Sequence, residues 1–323
     1  MSMTVKTDSD IYPWLQGHWT FFMQRLEADK LAHALMIEGP SGVGKTDLAQ
    51  TMVARLLCRE NQPRACGQCR SCQLLRGAAH PDYFNLQPEE GSKVIKVDQV
   101  RDVIGKLDLT TSISERKVAY IHPAEAMNAA AANALLKSLE EPAGNTILIL
   151  VSDNPGRLPV TIRSRCQSIT VNQPVARLVH DWLEEVSKAT PEQVSAAFQA
   201  AGGSPLRAAH YLSSPEQDAY AQVRKGLVTL LARPGAVSQT SSQLNELDPV
   251  DLWRWLSICT GEVIKSNMTG QSLEWMSANP KLRDRRLLEL QRQADINRRM
   301  ASTQVRGDLL LQEWLINWAE QVV

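Results

Sequence analysis

The chain has 323 residues, 43% hydrophobic and 22% charged, ordinary values for a folded protein of more than one domain. Thirty-five Lys and Arg balance thirty-five Asp and Glu, so the net charge is zero. That argues against a protein that works alone by neutralising nucleic-acid phosphates.

The first ten residues are polar, with no basic-then-apolar leader pattern. The longest strongly apolar run, Thr146 to Val151, is far too short to span a membrane. A cytoplasmic location with reduced thiols is expected. The first strong element is a short apolar strand, Ala34-Leu-Met-Ile37, followed by Gly39-Pro-Ser-Gly-Val-Gly-Lys-Thr46. Asp47 to Leu57 then reads as a helix with Leu48, Met52 and Leu56 on one side. Strand, glycine loop and helix are the setting of a G-x-x-x-x-G-K-[ST] phosphate loop. Gly39, Gly42 and Gly44 let successive N–H groups curl around an anion at the helix N-terminus. Lys45 would reach the outer phosphates and Thr46 would offer its hydroxyl to Mg²⁺. A vestigial loop is the alternative.

Cys58, Cys66, Cys69 and Cys72 follow, spaced C-x₇-C-x₂-C-x₂-C. Paired C-x₂-C turns present thiolates to one tetrahedral ion, so a structural Zn²⁺ is expected, with no open position for catalysis. Cys166 and Cys259 read as small buried hydrophobes.

A second strand, Lys117 to Ile121, ends in His122-Pro123-Ala124-Glu125. A P-loop ATPase keeps a metal-holding acid at such a strand tip, commonly with a second acid that orients water. His122 and Pro123 cannot do either, and Glu125 would need an unusual turn to reach the loop. A poor or inactive ATPase is the expectation. Helical Asn128 to Leu139 stops at Glu141-Pro142, and Thr146 to Val151 is a third strand. Strands alternating with helices imply a parallel sheet covered on both faces.

After Asn172-Gln-Pro174 only helices are predicted. Thr190-Pro-Glu-Gln193 and Ser214-Pro-Glu-Gln217 are capping boxes with proline at the first helical position. Asp248-Pro249 is a third N-cap, and Leu311, Trp314, Leu315, Trp318 and Val322 form the stripe of a final helix. Trp253, Trp255, Trp314 and Trp318 are expected mostly in the core, with a partner helix as the alternative. Lys281 to Arg286 and Arg298-Arg299 read as solvated faces. Three domains are expected: α/β over 1–173 with the cysteine module, a small helical domain over 174–213, and a larger helical domain over 214–323.

Several of these stretches occur together with Asn133-Ala-Leu-Leu-Lys137, Leu139-Glu-Glu-Pro142 and Leu158-Pro-Val-Thr-Ile-Arg-Ser-Arg-Cys166. In combination they resemble the bacterial DNA polymerase III clamp-loader subunits of the AAA+ superfamily, and most the non-motor, delta-prime branch. The resemblance implies an AAA+ domain, a lid and an oligomerising collar. It implies a hetero-pentamer with gamma or tau and delta that loads the sliding clamp onto primed DNA. Ser164, Arg165 and Cys166 match the family's SRC motif, whose arginine enters a neighbouring subunit's ATP site as an arginine finger in trans. Arg207, in Gly202-Gly-Ser-Pro-Leu-Arg207, lies where the family's ATPases keep a sensor arginine, with altered spacing. Ser152-Asp153 falls where they sense the γ-phosphate; packing or a turn is the favoured reading there. Because the phosphate loop is complete, ATP or ADP binding with Mg²⁺ but without hydrolysis is expected. A catalytically active gamma-type ATPase subunit is the alternative. The chain's close on an apolar helix leads to the expectation that it lacks a polymerase-tethering tail.

Overall fold

The computed structural model describes residues 11–214, 217–273, 275–276, 284–301 and 306–320. The first ten residues, Pro215 and Glu216 of the second capping box, Lys281 to Arg283 and Val322 lie outside the described residues. The chain divides into two compact units, Met1–Glu185 with Ser204–Leu206, and Val186–Gly203 with Arg207–Val323.

The first unit runs α1 (Gln16–Glu27), β1 (Ala34–Glu38), α2 (Lys45–Leu57), α3 (Arg70–Arg76), β2 (Tyr83–Leu86), α4 (Val97–Leu107), β3 (Lys117–Ile121), α5 (Ala129–Glu140), β4 (Thr146–Ser152), α6 (Val160–Arg163), β5 (Gln167–Thr170) and most of α7 (Ala176–Ser187). The strands form one parallel sheet in the order β2-β3-β4-β1-β5. The three strands predicted from sequence are its centre. The two edge strands were not foreseen: Tyr83-Phe-Asn-Leu86 and Gln167-Ser-Ile-Thr170 are four residues long and half polar, too short for periodicity to declare.

β1, β3 and β4 are buried along almost their whole length, which is why they read as continuous apolar runs. Alternate residues serve two cores. Leu35, Ile37, Val118, Tyr120, Ile149 and Val151 join Phe22, Leu48 and Met52 on the face covered by α1 and α2. Ala34, Met36, Ala119, Ile121, Leu148 and Leu150 join Val100, Leu135 and Leu139 on the face covered by α4 and α5. Each large side chain so buried contributes about 1.5–3 kcal/mol. The carboxyl ends of adjacent β3, β4 and β1 are thereby held side by side, where ligands sit in open α/β sheets.

The second unit is helical: α8 (Pro191–Ala200), α9 (Pro205–Ser213, its first two residues in the first unit), α10 (Gln217–Ala232), α11 (Val237–Leu244), α12 (Pro249–Thr269), α13 (Asp284–Met300) and α14 (Gly307–Ala319). The two capping signals within the described residues are real. Thr190 and Gln193 exchange side-chain and backbone hydrogen bonds at the start of α8. Asp248 Oδ1 accepts from the N–H groups of Val250 and Asp251 at 2.9 and 3.0 Å. Trp253, Trp255, Trp314 and Trp318 are all buried. The indoles of Trp255, Trp314 and Trp318 donate to the carbonyls of Ala200, Leu290 and Leu227. With apolar bodies packed and N–H groups satisfied, these rings are core residues.

Candidate functional site

The segment Gly39–Gly44 leaves β1 and turns into α2 in a left-handed conformation at Gly42 (φ +77°) and Gly44 (φ +90°). A side chain is excluded at both places for a second reason. A Cβ on Gly42 would lie 2.0 Å from Ser204 Oγ, and one on Gly44 2.6 Å from the Tyr12 ring. Gly39, where β1 ends, is equally tight against the Val171 carbonyl. Thr46 is the second residue of α2, at its half-exposed N-terminus. The loop is roofed by aromatic rings. Tyr12 stacks on Trp14 at 5.2 Å, and Trp182 of α7 meets both edge-on. The Trp14 indole donates to the Val43 carbonyl at 2.9 Å, and the Tyr12 hydroxyl to Asp47 Oδ2 at 2.9 Å.

Lys45 is buried at 3% exposure. Its ammonium donates to the Pro40 carbonyl at 2.6 Å and forms an ion pair with Asp153 Oδ1 at 2.6 Å. Ser152 makes the expected turn, its Oγ accepting from the Asn154 N–H. Asp153 differs from expectation: it is the ionic partner of the phosphate-loop lysine. The unusual turn needed by Glu125 is also present, over Ala124–Ala126. It brings Glu125 Oε1 to the N–H groups of Asp153 and Asn154, both at 3.1 Å. The carboxylate is thus engaged with the end of β4, and His122-Pro123 stands at the end of β3.

The SRC segment closes α6. Arg165 is exposed; its Nε donates to Glu140 Oε1 at 2.7 Å and a terminal nitrogen to the Thr161 carbonyl at 3.0 Å. Glu140 is the last residue of α5, inside the Leu139-Glu-Glu-Pro142 stretch. Ser164 is exposed, and burial pushes the Cys166 thiol up to about 11. Cys166 is therefore an unreactive packing residue. Arg207, the third residue of α9, belongs to the second unit. Burial and the neighbouring Arg254 lower its pKa from the ordinary arginine value.

Cys58, Cys66, Cys69 and Cys72 converge, all four Sγ atoms lying within 4.8 Å of one another. Tetrahedral zinc with Zn–S bonds of about 2.3 Å sets sulfurs roughly 3.8 Å apart, and Cys66 and Cys72 are at 3.9 Å. The N–H groups of Cys66 and Cys69 donate to the sulfurs of Cys58 and Cys66 at 3.3 Å, contacts that favour thiolate. Burial raises Cys58 and Cys72. At Cys69 burial also acts upward, but the N–H groups of Arg59 and Cys72 and the neighbouring thiols prevail and bring it to about 7. The donor set fits a metal ion such as zinc. Cys259 is fully buried as expected.

The family model described as DNA polymerase III, delta subunit, matches residues 15–174. DNA polymerase III subunit delta' of Pseudomonas aeruginosa is 41% identical over 266 residues, 81% of this chain and 79% of that one. The chain belongs to the DNA polymerase III delta' family. Similarity to the delta' subunit of Yersinia pestis, 30% identical over 328 residues, covers 95% of both chains. Among solved structures, the gamma-subunit-related protein of Thermotoga maritima aligns with 93% of this chain and 99% of that chain, at 18% identity and a TM-score of 0.48. No weight rests on that distant likeness.

Three features of this delta'-family chain escaped sequence reasoning: the Asp153–Lys45 pair, the Glu140 partner of Arg165, and the Trp182 lid over Tyr12 and Trp14. An acid directly after the strand that neighbours β1 was the available signal for the first. The other two depend on contacts between distant segments.

Proposed function

We propose that this chain is a non-motor subunit of the bacterial replicative clamp loader, acting in the cytoplasm. It would assemble with gamma or tau and delta subunits, and through them serve the sliding clamp and primed DNA. The observation that carries this reading is the end of β3. His122-Pro123 stands where an ATPase needs an acidic pair, and the next acid along the chain, Glu125, turns its Oε1 to the backbone N–H groups of Asp153 and Asn154. The loop's N–H groups, Lys45 and Thr46 would hold a nucleotide with Mg²⁺ without turning it over. Cys58, Cys66, Cys69 and Cys72 would hold a structural Zn²⁺ that locks the segment between α2 and β2. The domain organisation proposed is 1–173, 174–213 as lid and 214–323 as collar, supported by the last strand ending at Thr170.

Arg165 would act in trans, bridging phosphate oxygens in a neighbouring subunit's ATP site and stabilising charge that develops there. Its present partner does not prevent this. A largely solvated pair such as Arg165–Glu140 is worth about 0–1 kcal/mol, so a phosphate of higher charge can take the guanidinium over.

The intact phosphate loop favours the other reading, a gamma-type ATPase, and turnover separates the two. The purified chain with Mg²⁺ and ATP is expected to show no hydrolysis above background, and to co-purify with gamma and delta subunits. Mg²⁺-dependent turnover abolished by Lys45→Ala would establish the ATPase instead.

A further inference from the structure

The end of β4 supplies a carboxylate where the phosphate loop directs its lysine. Lys45 spends its donors on Pro40 O and Asp153 Oδ1, each at 2.6 Å. The Asp153 side chain is one-third exposed, whereas that of Lys45 is almost wholly buried. The ion pair therefore lies at the boundary between the loop and solvent.

Asp153 is also held in position. The Glu125 carboxylate accepts the N–H groups of Asp153 and Asn154, and Ser152 Oγ accepts that of Asn154 as well. Across the sheet, the Gly39 N–H donates to the Ser152 carbonyl, fastening the start of the loop to the same strand end. The backbone that carries Asp153 is thus fixed, and its carboxylate is directed by the ion pair with Lys45.

We propose that Asp153 is the specificity-determining residue of the phosphate loop: its carboxylate takes the ionic position beside Lys45 that a terminal phosphate would take, so that the loop admits a nucleoside diphosphate and rejects a triphosphate. This rests on reading Gly39–Thr46 as a nucleotide loop and is independent of Arg165. The physical reason is charge. In such loops the lysine answers the outermost phosphates. A triphosphate must draw Lys45 away from Asp153, leaving a carboxylate without its counter-charge beside a polyanion, and like charges so juxtaposed in a partly dry site are strongly disfavoured. A diphosphate lacks the γ group and asks of Lys45 only a share in the β-phosphate, which one ammonium can give while keeping Asp153. The backbone N–H groups at the start of α2 can still receive it.

The test is calorimetric titration of the full chain with Mg²⁺–ADP and with the non-hydrolysable Mg²⁺–AMPPNP. The wild type is expected to bind ADP the more tightly. Asp153→Asn, nearly isosteric and checked for native circular dichroism, should raise AMPPNP affinity by about tenfold or more while changing ADP affinity far less. Asp153→Ala should do the same, and adding Lys45→Ala should remove the gain. A wild type that binds neither nucleotide would overturn the proposal, since the loop would then not admit the diphosphate. Equal wild-type affinities, or a preference for ADP that both Asp153 variants retain, would overturn it while leaving the nucleotide loop standing. Failure of every variant to bind either nucleotide would overturn both.

Discussion

Cys72→Ser is expected to release the metal and cost the α/β unit several kcal/mol of stability. The sulfur is one of four that converge within 4.8 Å, and the residue is 1% exposed at the base of α3. A serine hydroxyl is a poor zinc ligand, and three thiolates rarely retain a structural ion. Structural zinc sites release about 10–16 kcal/mol on binding in isolated peptides, which is folding energy because no preformed site exists in the unfolded chain. Here part of the module is secured independently. Ser71 Oγ donates to the Leu57 carbonyl at 2.6 Å, and Leu75 is buried in the same core as Leu57. The loss is therefore a fraction of the peptide value. Metal analysis should find about one zinc per wild-type chain and none in the variant, with the urea midpoint lowered accordingly. Metal-free protein of undiminished stability would refute the zinc.

Asp82→Ala is expected to destabilise the same unit by about 3–5 kcal/mol. Asp82 is fully buried and accepts from the N–H groups of Ser112, Ile113 and Ser114 at 2.7, 2.7 and 2.8 Å. Alanine would leave three donors without a partner in the interior. The carboxylate ties the approach to β3 to the start of β2. Beside it, the His80 ring shares Ser71 and Ser114 hydroxyls at 2.8 and 3.2 Å, linking both segments to α3. Burial alone would raise the Asp82 pKa, but the N–H groups of Ser114, Ser112 and Ile113 together with His80 hold it below the ordinary carboxylate value. A depressed folded value means the stabilisation is fully present above the unfolded pKa of about 3.9 and fades as pH falls through the folded one. Urea midpoints measured from pH 7 into acid should fall for the wild type below about pH 4, and less steeply for Asp82→Ala. Parallel acid limbs would remove Asp82 from this role.

What could be read from sequence was whatever is carried by neighbours in the chain. The phosphate loop lies within eight consecutive residues, and the four cysteines within fifteen, so spacing alone located both. Trp253, Trp255, Trp314 and Trp318 declared themselves core by helical period, and all four are buried accordingly. The position of Asp153 at a strand end was legible, but its pairing with Lys45 was not. That pairing depends on β4 lying beside β1, a crossover connection that no local pattern encodes. Arg165 and Glu140 meet across α5 and α6 for the same reason, and Trp182 reaches Tyr12 only once α7 has folded back onto the loop. The motif identified Arg165 as the residue of interest; the structure supplied its resting partner.

The decisive measurement is DNA-stimulated ATP turnover of a loader reconstituted with Arg165→Ala in place of the wild-type chain. Assembly should be unaffected, because the side chain is exposed and its ion pair contributes little. Loss of an arginine finger slows its own site by about 10³-fold or more. Sites between the other subunits can continue, so total turnover should fall by at least the share of the silenced site, and Arg165→Lys should not restore it. A fully assembled loader turning over ATP at the wild-type rate with Arg165→Ala would show that this guanidinium completes no neighbouring site.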